Sequence, residues 1–187
     1  MRRHIRDWLA TVAPHIPDLG PVLEVGSLQV HNGGGPELAD LRPLFPGREY
    51  LGTDMRPGPG VDQVMDAESL PLRFGSIGTV LCIDTIEHVA HAWEACREFH
   101  RVLAPGGWAI VVTVFRYDVH DHPADYWRPT HEGMAVWLER FESVFVGGEG
   151  RDSPETIAGI GVKGPADFPV SIIGHWKHGI LRGGPQP

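Results

Sequence analysis

Cysteine is nearly absent from the 187 residues, with only Cys82 and Cys96 present. A pair without metal-ligand spacing builds neither a disulfide framework nor a thiolate cluster, so both are read as buried free thiols of a reducing cytoplasm. Basic residues are also scarce: 16 Lys and Arg stand against 24 Asp and Glu, for a formal net charge of -8. Phosphate backbones are held by clustered cations, and these are scattered, which excludes nucleic acid as the main partner. A small neutral, cationic or carrier-borne substrate is expected instead. No uninterrupted apolar run is long enough for a bilayer span or signal, since Arg2, Arg3 and Arg6 lead into Asp7 and Trp8. The expected location is therefore cytoplasmic, with no membrane partner. Neither a repeat nor a low-complexity segment is found.

What is present is a recurring strand end. Val22-Leu-Glu-Val-Gly-Ser27, Tyr50-Leu-Gly-Thr-Asp54 and Val80-Leu-Cys-Ile-Asp84 are each short apolar runs that reach a carboxylate at or near their C-terminal end. In open α/β sheets ligands sit outside the carboxyl ends of the strands, near the point where strand order reverses, so these ends are expected to converge on one small molecule. Between them, Ile5, Trp8, Leu9 and Val12 have the spacing of an amphipathic first helix. A second helix is predicted over 36–45, opened by Pro36 and stopped before Pro46. Short strands are predicted at 61–65 and 108–113, a crossover helix at 90–103, a helix at 132–141, and strands at 142–146 and 156–163. The alternation reads as a mostly parallel sheet with helices on both faces. With 42% hydrophobic residues, one core and one domain are expected.

The series Glu24-Val-Gly26, Asp54, Asp66-Ala67 and Leu103-Ala-Pro-Gly-Gly107 resembles the class I S-adenosylmethionine-dependent methyltransferases of the small single-domain type, over roughly residues 20 to 164. The resemblance implies an α/β fold: a doubly wound, mostly parallel Rossmann-like sheet with an antiparallel closing strand. It implies S-adenosyl-L-methionine as cofactor, with Glu24 and Gly26 at its methionine part, Asp54 on the ribose hydroxyls, and Asp66 with the Ala67 backbone on the adenine. Ser27 and Met55, next to Gly26 and Asp54, are assigned to the same set. One departure is plain, because Gly26 is followed by Ser-Leu-Gln-Val-His-Asn-Gly-Gly-Gly35, a lengthened loop without the family's second glycine at the usual place. Residues 1–164 are expected to form the methyltransferase domain. Residues 165–187 are a Pro/Gly-rich, largely irregular tail whose apolar residues dock on the domain or on a second copy in a homodimer.

Two stretches carry candidate chemistry. Asp84-Thr-Ile-Glu-His88 follows the fourth strand; Asp84 is either a cofactor or substrate contact or an N-cap, and His88 is either catalytic or a helix-start residue. The segment from Arg116 to His131 follows the fifth strand and overhangs the site. There Tyr126, Trp127 and Arg128 are candidates to line an acceptor pocket, and His120, His122 or His131 to serve as general base. The structural alternatives are Trp127 in the core and Asp125 and Thr130 as turn caps. His120-Asp-His122 also has ligand chemistry, but no distant third ligand is indicated and no metal is assigned.

The expected reaction is methyl transfer to an oxygen or nitrogen of a small molecule such as a natural product, sugar or metabolite. The alternatives are a relative that uses the cofactor for a non-methylating reaction, and a metal-assisted hydrolase. A nicotinamide-dependent dehydrogenase is disfavoured because Gly-x-Gly-x-x-Gly is missing after the first strand.

Overall fold

The apolar runs do not alternate with polar residues because the strands they form are covered on both faces. In the computed structural model, which describes residues 1–29, 36–120 and 124–183, β1 (Val22–Val25) and β4 (Ile77–Ile83) are buried at every position. The other strands are β2 (Tyr50–Asp54), β3 (Gln63–Val64), β5 (Leu103–Val114), β6 (Ser143–Gly148), β7 (Thr156–Val162) and β8 (His178–Arg182). The helices are α1 (Arg3–Val12), α2 (Pro36–Ala39), α3 (Ala92–Val102), α4 (His131–Trp137) and α5 (Val170–Ile173). The sheet order is β3-β2-β1-β4-β5-β7-β6-β8. Pairings from β3 through β5 are parallel, whereas β7 runs antiparallel to β5 and β6, and β8 antiparallel to β6. The expected fold class is thus observed, and the order reverses between β1 and β4, where a ligand crevice belongs.

Successive residues of one strand serve opposite layers, as the period of two requires. Val80 and Cys82 of β4, with Ala109 and Val111 of β5, pack with α3 and α4 residues such as Phe99 and Met134. Leu81, Ile83, Ile110 and Val112 pack on the other face with Ile5, Trp8, Leu9 and Val12 of α1. Burial of those four α1 side chains, at roughly 1.5–3 kcal/mol each, pins the helix and the residue before it. Cys82 and Cys96 are both buried and free. Among the described residues no helix is long and apolar enough to cross a membrane.

Several expected boundaries move. The helix predicted over 36–45 ends at Ala39 and is followed by a 3-10 turn at Arg42–Leu44. Pro43 lacks the N–H that would bond back to the Ala39 carbonyl, while the Asp40 carboxylate accepts the Arg42 N–H at 3.1 Å. The strand predicted from 108 begins at Leu103, because Leu103 pairs with Ile77 and a register shift absorbs the Pro105-Gly-Gly107 turn. The helix predicted over 132–141 is the shorter α4. Residues 165–183 are more regular than a Pro/Gly-rich composition implies: α5 packs on α1 with Trp8 Nε1 donating to the Ile172 carbonyl, and β8 pairs with β6 from Gly148–His178 to Val144–Arg182.

Candidate active site

At the C-terminal ends of β1, β2 and β4 lies a cavity of about 540 Å³, a size suited to a nucleoside-sized ligand. Three turns shape it. Gly26 ends β1 at φ +82°, and a Cβ there would lie 2.0 Å from Thr85 Oγ1, so only glycine lets the turns after β1 and β4 nest together. Asp54 ends β2, with its Oδ1 accepting the Arg56 N–H at 2.9 Å. Asp84 follows β4 and is the one non-glycine residue at positive φ (48°) among those described. That conformation is uncommon for a residue with a Cβ, and it occurs where Asp84 lines the cavity. The N-cap position before the 3-10 turn Ile86–His88 belongs to Thr85 and not to Asp84.

The strand-end acids are brought together. The Met65 N–H bonds the Asp54 carbonyl at 3.0 Å, which sets the segment after β3 beside β2. Asp66 and Ala67 then line the same cavity as Gly26, Asp54, Met55 and Asp84. Asp66 closes a local turn by accepting the Glu68 N–H at 2.9 Å. Glu24 and Ser27 are buried beside the cavity and do not line it. Glu24 accepts a 2.7 Å hydrogen bond from the Tyr50 hydroxyl, and burial pushes its carboxyl up to about 7.

The other end of the cavity holds His88, His120, Tyr126 and Glu87. The Nδ1 of His88 lies 2.5 Å from the Ala124 carbonyl. The Nδ1 of His120 lies 3.1 Å from both the Asp118 carbonyl and Asp125 Oδ2. In both rings Nδ1 faces an oxygen acceptor, an arrangement in which Nδ1 donates. Asp125 is gripped by both terminal nitrogens of Arg128, at 2.5 and 2.6 Å, and these bonds hold its carboxyl down to about 2. Arg128 therefore supports Asp125, which in turn orients His120; it is not part of the cavity wall. Trp127 donates its indole N–H to the Val89 carbonyl at 2.9 Å and packs edge-on against Trp93 and Trp137, partly buried against the core. His131 is buried against His178 beside a separate cleft, with burial lowering its pKa. His122 lies outside the described residues.

Of the cavity-lining residues that the sequence does not single out, Glu87 and Arg2 bear most on its chemistry. Glu87 is fully buried; Thr113 donates to its Oε2 at 2.7 Å, its Oε1 has no partner among the described residues, and burial followed by the nearby Asp84 charge raises its pKa to about 7. The sequence signal was the Glu87-His88 pair, of which only the histidine was read as chemistry. One donor atom from each of Glu87, His88 and His120 lies within 4.8 Å of the others, a set able to share a proton or hold a cation. Arg2, 82 residues before Asp84, pairs with it at 3.2 Å. Nothing local in the sequence marks that contact.

A family model described as a methyltransferase domain matches residues 30–111. No curated protein matches the chain. Among solved structures, one from Thermotoga maritima described as a SAM-dependent methyltransferase and possible histamine N-methyltransferase has a TM-score of 0.60 at 20% identity, over 86% of this chain and 89% of that one. The 1,6-didemethyltoxoflavin-N1-methyltransferase of Burkholderia thailandensis, with that substrate and S-adenosylhomocysteine bound, has a TM-score of 0.63 at 17% identity, over 87% and 79%. A SAM-dependent methyltransferase from Archaeoglobus fulgidus has a TM-score of 0.62 at 13% identity, over 87% and 95%. At these identities the structures establish the shared fold. Joined with the match of the family model over residues 30–111, they show a chain similar to S-adenosylmethionine-dependent methyltransferases in fold and, over that stretch, in sequence.

Proposed function

We propose that the enzyme methylates an oxygen or nitrogen of a small molecule, with the cofactor along the strand ends and the acceptor at the histidine end of the same cavity. The observation that carries this reading is the continuity of one cavity from Asp54 and Asp66 to His88, His120 and Tyr126. Asp54 takes the ribose hydroxyls, since a carboxylate accepts two protons at once, and Asp66 with the Ala67 amide takes the adenine edge. Gly26 and Asp84 face the methionine part, while Glu24 and Ser27 brace the first turn from behind. S-adenosylmethionine, when bound, supplies a methyl group already activated on sulfonium. The chain must then align the acceptor, exclude water and remove a proton.

His120 is assigned as the proton acceptor, held by Asp125 and Arg128, with His88 edge-on to it at a ring separation of 4.8 Å. Tyr126 walls the acceptor side. His131 is assigned a packing role. A volume of about 540 Å³ for cofactor and acceptor together favours a small acceptor, and the formal charge of -8 disfavours nucleic acid. Buried free thiols fit a cytoplasmic setting.

A screen of phenols, amines and heteroaromatics, read by release of S-adenosylhomocysteine, identifies the acceptor. His120→Ala is then expected to lower turnover about 10²-fold and to change the pH profile while S-adenosylhomocysteine binds as in the parent; His131→Ala keeps its turnover. Full activity in both His120→Ala and His88→Ala would leave alignment alone as the mechanism.

A further inference from the structure

S-adenosylmethionine ends in a zwitterion, and a site that draws it out of water must offer a cation to the carboxylate as well as an acceptor to the ammonium. The cavity is rich in acceptors, with Asp54, Asp66, Glu68, Asp84 and Glu87 on its wall, but only two guanidinium groups line it, Arg2 and Arg56. Arg56 sits beside Asp54, at 3.7 Å, at the end of β2, and is about half exposed. Arg2 sits beside Asp84 at the end of β4, next to the turn that Gly26 and Thr85 share. One terminal nitrogen of Arg2, Nη2, is taken by Asp84 at 3.2 Å. The other, Nη1, is buried and has no partner among the described residues. A buried guanidinium donor without an acceptor is costly, and a carboxylate is the group that relieves it.

We infer that Arg2 is the clamp for the cofactor's carboxylate, with Asp84 beside it taking the ammonium. Its position is held by α1: the Arg2 carbonyl accepts the N–H groups of Ile5 and Arg6 at 3.1 and 3.3 Å, and the helix is anchored through Ile5, Trp8, Leu9 and Val12. A guanidinium on a rigid element suits a planar carboxylate. Its placement also answers the departure after Gly26, where the chain lacks the usual second glycine and so the close backbone approach that glycine permits. The inference rests on the cofactor lying along the strand ends as proposed above.

The test uses the intact chain and three ligands measured by calorimetry: S-adenosylhomocysteine, its methyl ester, and 5′-methylthioadenosine, which lacks the amino-acid end. The parent is expected to prefer the free acid to the ester by about tenfold or more, the range of a charge-assisted hydrogen bond. Arg2→Gln is expected to abolish that preference, to weaken S-adenosylhomocysteine by the same factor, and to leave 5′-methylthioadenosine within about twofold; Arg2→Lys restores part of the loss. Equal loss for all three ligands would make Arg2 a structural partner of Asp84 only, and no preference for the acid in the parent would overturn the inference without any variant. Asp54→Ala separates the two readings. If it weakens all three ligands, the cofactor placement holds whatever Arg2 does; if it weakens none, that placement fails first.

Discussion

Replacing Glu87 by glutamine should make the ligand-free protein more stable in alkali and leave it nearly unchanged in acid. Glu87 has no exposed surface, and among the described residues only one of its carboxylate oxygens has a partner, the Thr113 hydroxyl at 2.7 Å. Burial, and next the Asp84 charge, raises its pKa from 4.5 to about 7. In the unfolded chain the group ionises near its ordinary value, so between the two pKa values the folded state binds more protons. Stability then falls as pH rises through that window, and above it the ionised Glu87 carries its full cost. A rise from 4.5 to about 7 corresponds to a ceiling of about 3 kcal/mol. Glutamine keeps an acceptor for Thr113 but brings N–H donors of its own into a buried site, at about 1–2 kcal/mol if one is unmet. The expected net gain at pH 8 is therefore on the order of 1–2 kcal/mol, or about 2–6 °C in Tm, shrinking to zero or a small loss at pH 5. Glu24, whose pKa is also about 7, titrates in parent and variant alike and cancels in the difference. Urea unfolding of both proteins at several pH values reads the effect. Two curves that stay parallel from pH 5 to 8 would refute the reasoning, because they would mean that Glu87 ionises in the folded state as it does in the unfolded one.

Asp66→Asn should improve the binding of an inosine analogue of S-adenosylhomocysteine relative to the natural ligand, as competition calorimetry would read; an unchanged ratio removes Asp66 from the adenine edge. Arg128→Lys should leave S-adenosylhomocysteine affinity intact yet lower kcat and shift the pH-rate profile, since an ammonium cannot hold both Asp125 oxygens that keep His120 in place; a purely structural role would move Tm and spare the profile. Gly26→Ala should cost about 2 kcal/mol or more in urea unfolding, as the added methyl meets Thr85 at φ +82°; a loss below about 0.5 kcal/mol would mean that the turn can open.

The sheet was legible because burial on both faces leaves its trace in the chain itself, as in Val80-Leu-Cys-Ile83, where every residue must be apolar. Asp54 and Asp84 were legible as cavity residues for a related reason: a carboxylate that closes such a run falls at the strand end, whereas Glu24, inside its run, is buried. The second helix is shorter than Pro46 alone implies, because the missing N–H of Pro43 acts first. The eighth strand was not legible, since Gly179-Ile-Leu-Arg182 becomes a strand only when β6 offers an open edge, and that edge is a property of the sheet. Arg128 was read as a ligand for acceptor groups when its partner, Asp125, stood three residues away. Arg2 left no trace, because its meaning lies in a contact with a residue 82 positions distant.

The arrangement around Asp84 shows how these residues constrain one another. Asp84 holds one nitrogen of Arg2 and, after burial itself, its charge raises the pKa of Glu87, so two acids and one guanidinium share a corner of the cavity. Any group entering there with a positive charge offsets the repulsion between the two acids, lowers the cost of ionising Glu87, and is held more firmly in return, as linkage requires. An anion gains only if it reaches Arg2, whose buried Nη1 is the donor left over. A neutral apolar group gains from neither. The corner thus selects for a ligand that carries both signs of charge close together, which is the character of the amino-acid end of the cofactor. Glu87 also joins this corner to the histidine end, since donor atoms of Glu87, His88 and His120 lie within 4.8 Å of one another, so under the proposed function a charge brought to one end is felt at the other.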